Sequence, residues 1–157
     1  MVTLRDAQST DVPAIAAIAT EGRERLAGWE PEFWKLADGG AAIHQSFLSV
    51  LVDNESVITV VAEDEGRVAG FAVANIIDAP PVYDPDGRTA LIDDFGVADP
   101  EQWPELGPLL LDAVAERAAL NGAVQTIVIT ATQDGPRRNM VEGRGLRSTS
   151  EWWLERY

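Results

Sequence analysis

The chain has 157 residues and no cysteine, with 12 basic against 26 acidic side chains and a formal net charge of -14 at pH 7. That length suits a single domain, residues 1–157, with a full core, and the lack of cysteine excludes disulfides, thiolate metal sites and a cysteine nucleophile. So negative a field repels nucleic acid and, beyond solubility, suits a cationic partner or substrate, while no apolar run approaches the ~18 residues of a membrane span.

The opening MVTLRDAQST has no apolar h-region and reads as a strand, Val2 to Arg5, rather than a signal peptide. The composition fits a soluble cytoplasmic protein with no membrane role. Ser9 or Thr10 can cap a helix whose first turn holds Asp11 and Pro13. Val12, Ile15, Ala16, Ile18 and Ala19 then give it an apolar stripe to about Arg25. After a break at AGWEPEFWKLADGG, Ile43, Phe47, Val50 and Leu51 define the core stripe of a second helix. His44, the only histidine, falls one residue off that stripe and reads as a solvated or edge residue; one lone histidine makes no metal site.

Two β-branched runs, 56–62 and 67–77, flank Asp64-Glu65-Gly66 and predict a hairpin. A loop over 79–87 leads to a strand over 88–97, in which Gly96 suggests a bulge. Strict alternation puts Asp93 on the face of Leu91, Phe95 and Val97, and Asp94 on the opposite face with Ile92. Because Pro108 is tolerable only in a first turn, the next helix should begin near Glu105-Leu106. It runs through Leu109, Leu110, Val114 and Ala118 and stops at Asn121-Gly122. A buried strand over 124–132, a short helix closed by Gly143 or Gly145, and a last strand in LRSTSEWWLERY complete the chain.

The order β-α-α-β-β-β-α-β-α-β, carried by TLRDAQSTDVPAIAAIA, VVAEDEGRVAGFAVA, IDDFGVADPEQWPELGPLLLDAVAERAALNG and DGPRRNMVEGRGLRSTSEW, resembles the GNAT superfamily of acyl-CoA-dependent N-acyltransferases. The resemblance implies an α/β (α+β) fold, a GNAT-like mixed β-sheet of six to seven strands flanked by helices. It implies acetyl-CoA as cofactor, bound along the strand at Phe95 and Val97 and at a Gln/Arg-x-x-Gly-x-Gly/Ala signature opening the following helix. Counted from Val97, that signature falls on Gln102-Trp103-Pro104-Glu105-Leu106-Gly107. Gln102 and Gly107 match, and Glu105 replaces the first glycine.

A helix N-terminus binds pyrophosphate through free amides and a positive dipole end. Pro104 and Pro108 remove two amides, and Glu105 brings a carboxylate where the anion would sit. What remains for a diphosphate is Gln102, the amides of Leu106 and Gly107, and a basic cluster in which Arg137 and Arg138 lead Arg144 and Arg147. Pairing with surface carboxylates is the other reading of these arginines.

Amine acylation needs a base for the ammonium and an acid for the departing thiolate. The resemblance places the base on the strand at Asp93 or Asp94, and the usual acid tyrosine at a position that holds Val141. Tyr83 and Tyr157 lie far off in sequence. The GWEPEFW loop matches the family's acceptor loop, so Trp29, Phe33 and Trp34, with Glu30 and Glu32, can cradle a cationic small-molecule amine. The expected function is acetyl transfer to an amine of a small-molecule or peptide substrate; a degenerate protein that binds a ligand or partner without catalysis is the alternative. Trp152 and Trp153, adjacent on the expected last strand, cannot both face the core, which leaves room for a homodimer surface.

Overall fold

The computed structural model describes residues 1–157. Five strands form one sheet in the order β1 (Thr3–Asp6), β2 (Val57–Asp64), β3 (Arg67–Ile77), β4 (Arg88–Val97) and β5 (Ala123–Val128). The first four are antiparallel neighbours, and β5 runs parallel to β4. Helices α1 (Val12–Trp29) and α2 (Gly40–Val52) cover one face, while α3 (Trp103–Leu120) and α4 (Gly135–Gly143) cover the other. No helix is long and apolar enough to cross a membrane.

Period-two alternation splits the core. Ile58, Val60 and Ala62 of β2, with Ala72 and Ala74 of β3, meet Leu106, Leu110 and Val114 of α3. From the same strands Val61, Phe71 and Val73 meet Ile15, Ile18 and Ala19 of α1 and Leu48 of α2. The β2–β3 hairpin closes on Glu65 and Gly66, both at positive φ (50° and 76°), as a two-residue type I′ turn requires.

Several expectations are corrected. A 3-10 turn (Ser9–Asp11), capped at Gln8, precedes α1, and Asp11 rather than Ser9 or Thr10 is the α1 N-cap. Arg5 explains this: its guanidinium holds both Asp11 oxygens, at 2.7 and 2.9 Å, and fixes the turn against β1. In α2 the stripe faces the wrong way. Ile43, Phe47 and Val50 are 67%, 57% and 64% exposed, whereas His44, Leu48 and Leu51 line the inner face. Helix α3 starts at Trp103, with Pro104 in the first turn and Pro108 inside the helix.

The sheet has five strands, not six or seven. Residues 146–157 form no strand, and β5 ends at Val128 with Val124 and Ile127 exposed, so it is an edge strand rather than a buried one. Trp152, Trp153 and Leu154 are consecutive, so no strand register places all three on one face.

Candidate active site

The site begins with one extra residue in β4. On its β3 side, Val73 faces Asp94 and Ala74 faces Ile92, so Asp93 has no partner and forms a bulge. The bulge is therefore at Asp93, not Gly96, and it breaks the alternation expected from sequence. Ile92 and Phe95 both join the α3-side core, whereas Gly96 meets Ile18 of α1 and Phe71. Asp94 turns to α1 and α2, and Asp93 reaches Asn75, which shares the face of Val73. Both carboxylates thus lie on one face instead of two.

The same point opens the sheet. Pairing of β4 with β5 runs from Arg88 to Ile92, and an Ile129 amide bond to the Ile92 carbonyl at 3.4 Å closes it. From Asp93 to Val97 the outer edge of β4 carries no strand. Asp93 stands at the mouth of this opening. Its one side-chain contact is a long 3.4 Å bond from Asn75 Nδ2. Desolvation, aided by the charge of Asp94, raises its carboxyl above the usual range, against backbone amides that lower it.

Asp94 is held. Its Oδ2 accepts from His44 Nε2 at 2.8 Å and from Arg23 Nη2 at 3.1 Å, and Arg23 Nη1 lies 2.9 Å from His44 Nδ1. Arginine can only donate, so Nδ1 accepts and the ring proton belongs on Nε2, where it donates to Asp94. The three residues form a closed ring joining α1, α2 and β4. His44 is only 13% exposed and is not the solvated residue expected. The positions 44, 48, 51 and 52 share the i, i+4, i+7, i+8 spacing of the rival stripe, and that was the signal for it.

The opening of α3 is less accommodating to an anion than its signature suggests. The Asp99 carboxylate accepts from the Glu101 amide at 2.9 Å, and the Gln102 amide bonds to the Asp99 carbonyl in a 3-10 turn (Pro100–Gln102). The Trp103 amide bonds to the Pro100 carbonyl. Since α3 begins at Trp103, the Leu106 and Gly107 amides already fall within its hydrogen-bond ladder. Leu106 is fully buried, and Gly107 packs against Met140 of α4. Neither presents an amide to a ligand. Gln102 is half-buried at the N-cap.

Phe95 and Val97 are buried on the α3 side of β4. The Phe95 ring meets Trp103 edge-on at 4.8 Å, and the Arg137 guanidinium lies 4.8 Å from the Trp103 ring centre and 5.9 Å from that of Phe95. Burial pushes the pKa of Arg137 down, against the pull of Asp134 and Asp94. Its Nε lies 3.1 Å from Asp134 Oδ2 yet makes no hydrogen bond. Arg137, Asp134, Trp103, Trp29 and Arg25 line a cavity of about 60 Å³. Two other arginines of the cluster also face carboxylates: Arg138 is 3.5 Å from Glu142, and Arg144 bonds Asp112. Val141, at the tyrosine position, packs on the core.

Trp29 ends α1, and its carbonyl accepts from Gln133 across the opening at 3.2 Å. Phe33 meets Trp34 edge-on at 4.5 Å and Trp152 at 6.4 Å. The C-terminal segment therefore adds an aromatic ring to the GWEPEFW loop, a contact that no spacing in the sequence announces.

Residues 17–142 match the sequence model of the Acetyltransferase (GNAT) family. No curated protein matches the sequence significantly. Among solved structures, a mutant of the BH1408 protein from Bacillus halodurans superposes with a TM-score of 0.86 at 15% identity, covering 99% of each chain. A predicted acetyltransferase from Clostridium acetobutylicum, solved with acetyl-CoA, gives 0.71 at 18% identity over 99% of this chain and 96% of that one. The aminoglycoside N-acetyltransferase AAC(6')-Iy, in complex with the bisubstrate analog CoA-S-monomethyl-acetylneamine, gives 0.71 at 15% identity over 100% and 98%. With the family's sequence pattern spanning most of its length and the family's fold, the chain belongs to the GNAT acetyltransferases.

Proposed function

We propose that the protein transfers an acetyl group from acetyl-CoA to a cationic primary amine. The observation that carries this reading is the coincidence at one residue of the bulge and the strand opening. Asp93 stands, weakly bonded and with a raised pKa, where the edge of β4 becomes free. Acetyl-CoA supplies the acetyl group as an activated thioester. The free edge from Asp93 to Val97 offers main-chain donors and acceptors to an extended, amide-bearing arm, alongside Phe95 and Val97. Arg137, which lines the small cavity with Arg25, suits a phosphate, with Arg138 next to it in sequence and Gln102 next to Trp103, on whose ring Arg137 stacks, as its helpers.

Asp93 then takes a proton from the acceptor ammonium, a task its raised pKa favours. Asp94 has an oxygen already shared by Arg23 and His44, so it acts as a positioning residue that fixes the two helices beside the acceptor. Trp29, Phe33, Trp34 and Trp152 offer ring faces to the cation, and the net charge of -14 attracts it. With Val141 at the tyrosine position, the thiolate takes its proton from the amine or from water. Acetyl-CoA and a bisubstrate analog in the structural relatives support this reading.

A ligand- or partner-binding protein without catalysis is the second reading. It is favoured by the Asp99 carboxylate on the Glu101 amide and by Glu105 in the first turn of α3. Thermal unfolding with acetyl-CoA separates the two, since ligand at ~100 Kd stabilises by ~2.7 kcal/mol. A shift together with amine-dependent release of free thiol supports catalysis. A shift with no thiol release from any of a panel of amines supports binding alone. No shift at millimolar acetyl-CoA overturns the acetyl-transfer reading.

A further inference from the structure

We infer that Arg25 and Arg137 together form a pocket for one small oxyanion, a carboxylate or a single phosphate group, at the end of α1. The pocket stands on its own geometry; only the source of the anion rests on the acetyl-transfer reading. Arg25 is its unusual member. Arg5, Arg23, Arg88, Arg117, Arg137 and Arg138, the other half-buried arginines, each face a carboxylate at 3.5 Å or less. Arg25 alone faces none, in a chain with 26 acidic side chains. Glu21 lies one turn back on α1 in the favourable i,i+4 order, yet no ion pair joins the two. The Arg25 guanidinium instead folds over Gly22, its Nη2 4.0 Å from where a Cβ would stand, and lines the cavity of about 60 Å³ with Arg137.

Charge and size define the ligand. Two guanidinium groups meet one carboxylate in this cavity, and that carboxylate is engaged: Asp134 Oδ2 lies 3.1 Å from Arg137 Nε, and Oδ1 accepts the Arg137 amide. One positive charge is left uncompensated. Burial is the main cause of the lowered Arg137 pKa and the charge of Arg25 adds to it, so an anion between the two cations relieves both. Leu26, Trp29 and Trp103 supply apolar walls, which strengthen such an attraction. The volume admits a head group and excludes a nucleoside. Arg23, two residues before Arg25 on α1, bonds Asp94, and the charge of Asp94 reaches Arg137 as well. The pocket thus lies within electrostatic reach of the site on β4. Two ligands of the proposed reaction can fill it: acetyl-CoA with a phosphate, or the acceptor with a carboxylate beside its amine.

Inorganic phosphate and acetate, each titrated into the full chain at constant ionic strength, test the pocket through the emission of Trp29 and Trp103, which line it. A saturable change in the millimolar range is expected with at least one of the two. Arg25→Gln should weaken that binding about tenfold or more with no loss of melting temperature, since no ion pair is broken. Arg67→Gln, which removes the same charge from an exposed position, should bind as the wild type does. No saturable response to either ion overturns the inference. So does an Arg25→Gln protein that binds as tightly as the wild type, which would mean an adventitious ion only. The NMR line width of the bound ion then identifies the source. Displacement by acetyl-CoA assigns the pocket to the cofactor, and an ion that stays bound beside acetyl-CoA assigns it to a carboxylate-bearing acceptor. Ion binding without any acetyl-CoA binding would keep the pocket and overturn the acetyl-transfer reading.

Discussion

A Cβ added to Gly107 would lie 2.7 Å from Met140 Cε and 2.8 Å from its Cγ. The glycine that completes the diphosphate signature is thus a point of close approach between α3 and α4. An alanine in a helix interior gains about 1 kcal/mol over glycine, whereas overpacking costs ~1–3 kcal/mol. Met140 is flexible but fully enclosed, so Gly107→Ala should lose about 1 kcal/mol in urea unfolding. In a Met140→Ala background the same substitution should become neutral or stabilising, and the cycle gives the coupling. Unchanged stability with weakened acetyl-CoA binding would return Gly107 to the ligand.

On the proposed acetyl-transfer reading, Asp93→Asn should abolish transfer and at the same time stabilise the protein. A carboxyl whose pKa is raised on folding binds more protons in the folded state than in the unfolded one. Its stabilising contribution is present below the ordinary carboxylate range and is lost as pH rises through the raised pKa. At pH 7 the wild type therefore carries a cost that the asparagine lacks. Melting temperatures compared at pH 7 and near pH 4 should show the variant ahead at pH 7, with the gap narrowing in acid. A variant less stable at pH 7 would make Asp93 a structural residue.

The ring of Arg23, His44 and Asp94 should behave as one unit. His44→Ala removes a bond to a carboxylate in a half-buried setting, a loss of ~1.5–3 kcal/mol, and Asp94→Asn weakens the same contacts. A double-mutant cycle on the pair should give coupling of about 0.5–3 kcal/mol. If Asp94 positions rather than reacts, Asp94→Asn should lower kcat far less than Asp93→Asn does. Equal losses would make the two carboxylates joint participants.

How much of this was readable beforehand depended on whether a pattern was local. The β4 boundaries, 88–97, and the α1 stripe at Val12, Ile15, Ala16, Ile18 and Ala19 follow from local periodicity, and the structure has both. The expected order of elements is also there as far as α4, without its last strand. The faces of Asp93 and Asp94 were not readable, because a bulge is set by the register of β3 and leaves β4 with no turn residue to announce it. In α2 the apolar count favoured Ile43, Phe47 and Val50. What decided the face was a polar ring, and its partners Arg23 and Asp94 lie 21 and 50 residues from His44. Trp152 reaches Phe33 across more than 100 residues, which no short-range pattern records.

Arg137→Met should separate fold from ligand. The methionine keeps apolar bulk against Trp103 and Phe95 but removes a buried charge whose Nε lacks a hydrogen bond. Replacing a whole buried ion pair by apolar side chains is often neutral or stabilising, but removing one partner leaves the other charge uncompensated, and here Asp134 is left without Arg137. Asp134 still accepts the position-137 amide as the α4 N-cap, so the protein should stay folded but lose stability, up to the ~3–5 kcal/mol of a broken buried pair. Acetyl-CoA affinity should fall about 10- to 100-fold, the loss of one strong charge-assisted contact. An affinity that does not fall would leave Arg137 as packing alone.

Glu105→Gln should tighten acetyl-CoA binding. Glu105 is exposed in the first turn of α3, where its charge favours the helix dipole by ~0.3–1 kcal/mol. The same charge repels an incoming diphosphate at that end of the helix. Glutamine keeps helix propensity and length, so the substitution isolates the charge in a way that glycine would not. The expected result is a lower Kd by several-fold at low ionic strength, paired with a small loss of stability from the weakened dipole interaction. Because the side chain is exposed, the gain should shrink as salt rises from about 0.01 to 0.15 M, where the screening length falls from ~30 to ~8 Å. A Kd unmoved at low salt would place the phosphates away from α3, on the side of Arg137 and Arg138.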